Sequence, residues 1–83
     1  MEPLETKLTL SDIPNGKSAV ITEVIAEDGM RRRLQDLGFI VGNNVDSLNT
    51  AAIGDLTAYR INGTVIAIRK DDTDNILVEE INV

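Results

Sequence analysis

The chain has no cysteine, no histidine and no tryptophan, and its aromatic content is one phenylalanine and one tyrosine. Lack of cysteine removes disulfides and a thiolate nucleophile, and lack of histidine removes the imidazole base. Together these absences take away the softer ligands that transition metals favour. Only carboxylates, amines, hydroxyls and amides are left, and no hydroxyl has an imidazole to activate it. A Gly-x-x-x-x-Gly-Lys-Ser/Thr loop for cradling phosphate is also missing, so the expectation is a protein that is not an enzyme. Basic residues are scarce. Eight Lys+Arg stand against 14 Asp+Glu, for a formal net charge of −6, a balance that repels polyphosphate and argues against nucleic acid as a partner. Long apolar runs are absent too. The longest, Val65-Ile66-Ala67-Ile68, falls far short of the roughly 18 residues of a spanning helix, which argues against direct membrane insertion. The acidic start, Met1-Glu2-Pro3-Leu4-Glu5, lacks the basic and apolar regions of a secretory signal, so a cytoplasmic location is expected.

What is present suits one small domain. A chain of 83 residues hides only about 60% of its unfolded surface, so residues 1–83 read as a single unit with 1–6 frayed. With so few aromatics the core must come from Val, Ile, Leu and Ala, and total stability should be on the order of 5 kcal/mol. Lys7 to Leu10 alternates like an opening strand before the turn residues Pro14-Asn15-Gly16. Lys17 to Ile25 is β-branched but apolar on both parities, as in a strand covered on both faces or carrying a bulge. Met30, Leu34 and Leu37 then recur at i, i+4 and i+7, which predicts one short α-helix over about residues 29–37. Asp28 is placed to cap it and Gly38 to close it. A short strand at Val45–Thr50 and a loop with Gly54-Asp55 follow. Thr57, Tyr59 and Ile61 lead into Asn62-Gly63, the sequence of a type I′ hairpin, and Ile66 and Ile68 return on one parity. Asp71 to Asn75 reads as a polar turn or a single helical turn, and Ile76 to Ile81 as the last strand. The architecture that hides most apolar surface is mostly β: a small, closed or half-closed barrel of five or six strands with one short helix.

Three clusters are candidates for function. Arg31-Arg32-Arg33 with Arg69-Lys70 supplies five of the eight basic residues, enough for a local basic patch that docks an acidic surface; alternatively, Arg32 and Arg33 pair with Asp28 and Asp36 at helical spacing. Phe39-Ile40-Val41 follows the helix directly, and three successive apolar side chains cannot all enter one core, so at least one is exposed. Asp71, Asp72 and Asp74 are weak candidates for a hard divalent cation, because their spacing lacks the alternation, central glycine and closing glutamate of a calcium loop.

Arg32-Arg33-Leu34-Gln35-Asp36-Leu37-Gly38-Phe39-Ile40-Val41-Gly42 resembles the signature of the FeoA family of ferrous iron transport proteins, roughly R-R-L-x-x-L-G-hydrophobic-x-P-G. Gly16-Lys17-Ser18-Ala19 resembles that family's early G-x-x-A, Gly54-Asp55 its G-D-P, and Ile66-Ala67-Ile68-Arg69-Lys70 its I-A-L-R-[RK]. Val41 and Leu56 stand where the family commonly has proline, and Thr73 where it often has alanine, a change expected to loosen core contact in the acidic turn. The resemblance implies an SH3-like β-barrel and a cytoplasmic accessory protein of ferrous iron uptake that acts on the membrane transporter FeoB. Joined to the basic helix and the apolar step after it, it points to a partner-binding surface of Arg32, Arg33, Phe39, Ile40 and Arg69. No resident cofactor is expected beyond a weakly held divalent metal. A direct metal carrier or sensor, or a stand-alone metal-regulator domain that binds peptide, are the rival readings. Self-association is left open.

Overall fold

In a computed structural model, the described residues are 8–51 and 55–81; the expectations for residues 1–6 and for Gly54 lie outside them. The elements are β1 (Leu8–Thr9), a 3-10 turn (Leu10–Asp12), β2 (Ser18–Val24), α1 (Asp28–Leu37), β3 (Asn44–Thr50), β4 (Leu56–Ile61), β5 (Thr64–Arg69), α2 (Lys70–Thr73) and β6 (Ile76–Ile81). The opening strand is shorter than its alternation suggests. Asp12 draws the chain into the 3-10 turn, its Oδ2 accepting from the Thr9 backbone N–H at 2.9 Å and the Thr9 hydroxyl at 3.2 Å.

All six strands join one antiparallel sheet in the order β1-β6-β2-β3-β4-β5. The last strand therefore lies inside the sheet, pairing Leu8 with Val78 on one side and Ser18 with Ile81 on the other. Of the two causes open for the mixed parity of β2, the structure has the bulge. Its register against β6 shifts between Ile21 and Glu23, and such a bulge moves later side chains to the opposite face. Ala19 and Ile21 are buried, whereas Val20 and Val24 are half-buried.

Among the described residues the sheet does not close by strand pairing: β1 and β5 each have a single neighbour. The space between these edges is spanned by α2, which touches both β5 and the 3-10 turn. The Ser11 hydroxyl donates to Asp74 Oδ1 at 2.5 Å, and Lys70 Nζ reaches Asp74 Oδ2 at 3.2 Å. A polar clasp thus does the work that a strand ladder performs in a closed barrel. Inside lie Leu10, Ile21, Leu34, Phe39, Val45, Tyr59, Ile61 and Ile76, each no more than 2% exposed.

Helix α1 departs from its expected start by one residue. Asp28 is its first helical residue, and the capping position falls to Glu27 in an extended conformation with no side-chain cap. Asp28 still places negative charge in the first turn, where the helix dipole favours it. The end of the helix follows its sequence closely. Gly38 sits at φ 112° and ψ 0°; its N–H bonds to the Gln35 carbonyl and the Phe39 N–H to the Leu34 carbonyl, both at 2.9 Å. These are the paired bonds of a Schellman closure, which brings the residue after the glycine against the residue four back from it. Phe39 and Leu34 are that apolar pair, and both are buried. Beside this closure, Asn62 (φ 54°) and Gly63 (φ 79°) form the expected two-residue turn between β4 and β5.

Candidate functional site

The helix closure decides which of Phe39-Ile40-Val41 reaches solvent. Ile40 is 45% and Val41 60% exposed, while Phe39 is 0% exposed. Phe39 therefore does not belong to a docking surface. Its place in the Schellman closure turns its ring into the core, and the next two side chains take the exposure.

Arg33 from α1 and Arg69 from the end of β5 line one groove of about 280 Å³. Its apolar wall includes Leu37, Leu56 and Ile66, and the carboxylate of Asp72 lines it too. Leu37 and Leu56 are both more than one-third exposed. The helical stripe assigned Leu37 to the core, but Leu34 takes the deep position and Leu37 lies over the groove mouth. Exposed leucines beside arginines suit a ligand that is itself apolar and acidic, because each arginine stem adds apolar contact and leaves its charge at the rim.

The charges around this groove are not neutralised from within. Arg31 pairs with Asp28 at 3.7 Å and donates to the Ala26 carbonyl at 3.0 Å. Arg60 pairs with Asp46 at 3.6 Å, and Lys70 with Asp74. Among the described residues Arg32, Arg33 and Arg69 have no carboxylate within 4.0 Å, and all three are exposed. The helical pairing expected for Arg32 or Arg33 with Asp28 is made by Arg31 instead. In a chain of net charge −6, two guanidinium groups, Arg33 and Arg69, at one groove with a single carboxylate, Asp72, in its lining are a local excess of positive charge.

The aspartates of the acidic turn are not gathered. Asp74 is engaged by Ser11 and Lys70, and these hydrogen bonds hold its carboxyl below the ordinary value of 3.8. Asp72 faces the groove, while Asp71 is exposed at the start of α2. Among the described residues no three carboxylates come close enough to share an ion. Thr73, expected to loosen the core, is instead buried, its hydroxyl donating to the Lys70 carbonyl at 3.2 Å.

A second cavity of about 250 Å³ lies beside the polar clasp, lined by Ser11, Thr50, Thr57, Tyr59, Lys70 and others. Its hydroxyls are occupied with one another: Thr50 and Thr57 are 3.0 Å apart, and Ser11 is held by Asp74. Burial raises the Tyr59 phenol above its ordinary value of 10.0, against smaller opposing effects of hydrogen bonds with Thr57 and Thr73. This keeps the phenol neutral over the physiological range. Among the described residues no helix is long and apolar enough to cross a membrane.

Over 75 residues the chain is 31% identical to an Fe(2+) transport protein A/Fe(2+) transporter FeoB fusion protein of Porphyromonas gingivalis, covering 90% of this chain and 9% of the fusion protein. It therefore spans less than one-tenth of that relative's length. The solution structure of a FeoA protein from Chlorobium tepidum superposes with a TM-score of 0.84 at 33% identity, covering 90% of this chain and 71% of that one. The zinc complex of Stenotrophomonas maltophilia FeoA, described as a prokaryotic SH3 domain protein, matches with a TM-score of 0.76 at 30% identity, over 87% of this chain and 89% of the other. The open six-stranded sheet with its short helix is thus an SH3-like fold. The FeoA domain family matches residues 8–80, and the chain belongs to that family.

Proposed function

We propose that this chain is a non-enzymatic, cytoplasmic accessory protein of ferrous iron uptake that docks on the cytosolic part of a FeoB-type transporter through the α1–β5 groove. Family membership supplies the link to iron transport. The Porphyromonas relative carries a FeoA and a FeoB in one polypeptide, and fusion holds two proteins at high effective concentration, which is useful when they meet. The observation that carries the reading is the unpaired Arg33 and Arg69 beside exposed Leu37 and Leu56. Arg32 and Ile40 extend the same surface along the helix and just past its end. Leu56, where the family pattern commonly has proline, adds apolar area to the groove. A module without reactive groups acts by binding one state of its partner better than another, so docking shifts the transporter's population of states.

Co-purification tests this. The wild-type chain should be retained on detergent-solubilised FeoB-type transporter, and the double variant Arg33→Glu, Arg69→Glu should be lost from it while its circular dichroism is unchanged. Undiminished retention of the double variant would reject the groove as the docking site.

A further inference from the structure

The groove is touched by four consecutive residues of β5, Ile66 to Arg69. Side chains alternate between faces along a strand, so a groove in contact with both parities runs along the strand's edge and not over one face. Among the described residues β5 pairs with β4 alone, which leaves that edge open.

The hairpin fixes which backbone groups face outwards. A two-residue turn makes Ile61 and Thr64 a hydrogen-bonded pair, and hydrogen-bonded pairs recur at every second residue. Thr64, Ile66 and Ile68 therefore turn their amides to β4. The Lys70 N–H, bonded to the Asp55 carbonyl at 2.9 Å, confirms the phase. The N–H and C=O of Val65 and Ala67 and the N–H of Arg69 point away, with no hydrogen-bond partner among the described residues. The register of β4 with β5 has no bulge, and Thr64–Ile68 contains neither proline nor charge. The other edge, β1, is only two residues long. Sheet proteins protect long edges from added strands, and Thr64–Ile68 carries no proline, charge or bulge to do so, Arg69 being the one charged residue of β5.

We propose that β5 is a strand-addition site: an extended segment of another protein, with acidic residues alternating with apolar ones, pairs with Val65, Ala67 and Arg69 and sets its carboxylates against Arg33 and Arg69. A second copy of this chain is the poorer occupant, because two β5 edges meeting would bring two sets of unpaired arginines together. This inference rests on the docking reading above and specifies its mode; main-chain bonds supply affinity and the arginines select the acidic strand.

A short capped peptide of alternating glutamate and valine is the probe, with nitrogen-15-labelled protein observed by amide exchange. At ten times the peptide's Kd, exchange at Val65, Ala67 and Arg69 should slow by about tenfold, while Thr64, Ile66 and Ile68 stay as they were. N-methylation of alternate peptide residues should abolish that slowing without touching the protein's fold. Ala67→Pro removes an outward N–H that β4 does not use, a position where an edge strand tolerates proline, and should weaken binding more than tenfold. Undiminished binding of the methylated peptide, or no slowing up to the peptide's solubility limit, overturns strand addition. Equal binding of a lysine–valine peptide overturns the acidic occupant, and slowing that grows with protein concentration alone assigns the edge to a second copy. Retention on the transporter that survives Ala67→Pro but not arginine reversal keeps the docking reading and removes this one. The expected peptide behaviour without retention does the reverse.

Discussion

Gly38→Ala is a sharp test of how the helix end is held. At φ 112° the residue lies in the range that side chains resist, and placing a non-glycine in a left-handed conformation costs about 1–2 kcal/mol. The added Cβ would also stand 2.9 Å from Asn62 Nδ2, with the Ile61 side chain no nearer than 3.5 Å. The close atom is the tip of an exposed amide, which can move aside, so the backbone cost should dominate. A total of about 2 kcal/mol corresponds to a fall in Tm of roughly 8–16 °C for a domain of this size. Urea and thermal unfolding followed by circular dichroism would measure it. Asn62 itself lies at positive φ, so Asn62→Gly removes the contact without straining the turn. The loss from Gly38→Ala should therefore be nearly the same in the Asn62→Gly background as in the wild type. A loss within about 0.5 kcal/mol of zero, the range of ordinary surface substitutions, would refute the conformational argument. A loss that vanishes with Asn62→Gly would show that the side-chain contact was its source.

Phe39→Ala removes a fully buried ring and should cost about 3–5 kcal/mol, comparable with the whole stability of so small a domain. With about 0–2 kcal/mol left, between a few per cent and about half of the variant should be unfolded at 25 °C, read as a collapsed urea midpoint by circular dichroism, and an undiminished midpoint would contradict the burial of Phe39. The clasp at Asp74 should respond to acid. A carboxyl held below 3.8 by its hydrogen bonds stabilises the folded state fully above that value and ceases to do so as pH falls through its lowered folded value. Asp74→Asn should therefore flatten the pH dependence of the urea midpoint below about pH 5, and Ser11→Ala should flatten it in part; an unchanged acid limb in both would remove Asp74 from that role.

The parts of the fold legible in the sequence were those encoded over a few residues. Asn62-Gly63 specifies its own turn and Gly38 its own helix stop, whereas the mixed parity of Lys17–Ile25 left a bulge and a strand covered on both faces as alternatives. Phe39 was within reach of the same reasoning, since a Leu34–Gly38–Phe39 spacing carries the apolar pair of a Schellman closure. Counting three apolar residues in a connection showed that some must be exposed without showing which. Asp28 was placed one residue early because the capping position is defined by backbone angles, and Glu27 adopts them with no side-chain bond to advertise it. The groove was legible only in fragments. Arg33 and Arg69 could be named as candidates, but their meeting across Leu37, Leu56 and Ile66 depends on how α1 lies along β5, a long-range arrangement with no local signature. The clasp of Ser11 and Asp74 joins residues near opposite ends of the described chain and is hidden for the same reason.

The interior position of β6 bears on how the domain comes into being. A chain still on the ribosome with its last strand unmade has β1 without a partner and β2 open along one side, and it lacks buried Ile76, Leu77 and Val78. The β3–β4–β5 meander can mature early, because its contacts are local, whereas pairings that join the two ends of the chain must wait and make folding slow. Folding of the domain therefore completes in one cooperative step: a nascent polypeptide stays incompletely folded until Ile76–Ile81 leaves the exit tunnel, and a product cut short before that strand lacks the partner of β1 and β2.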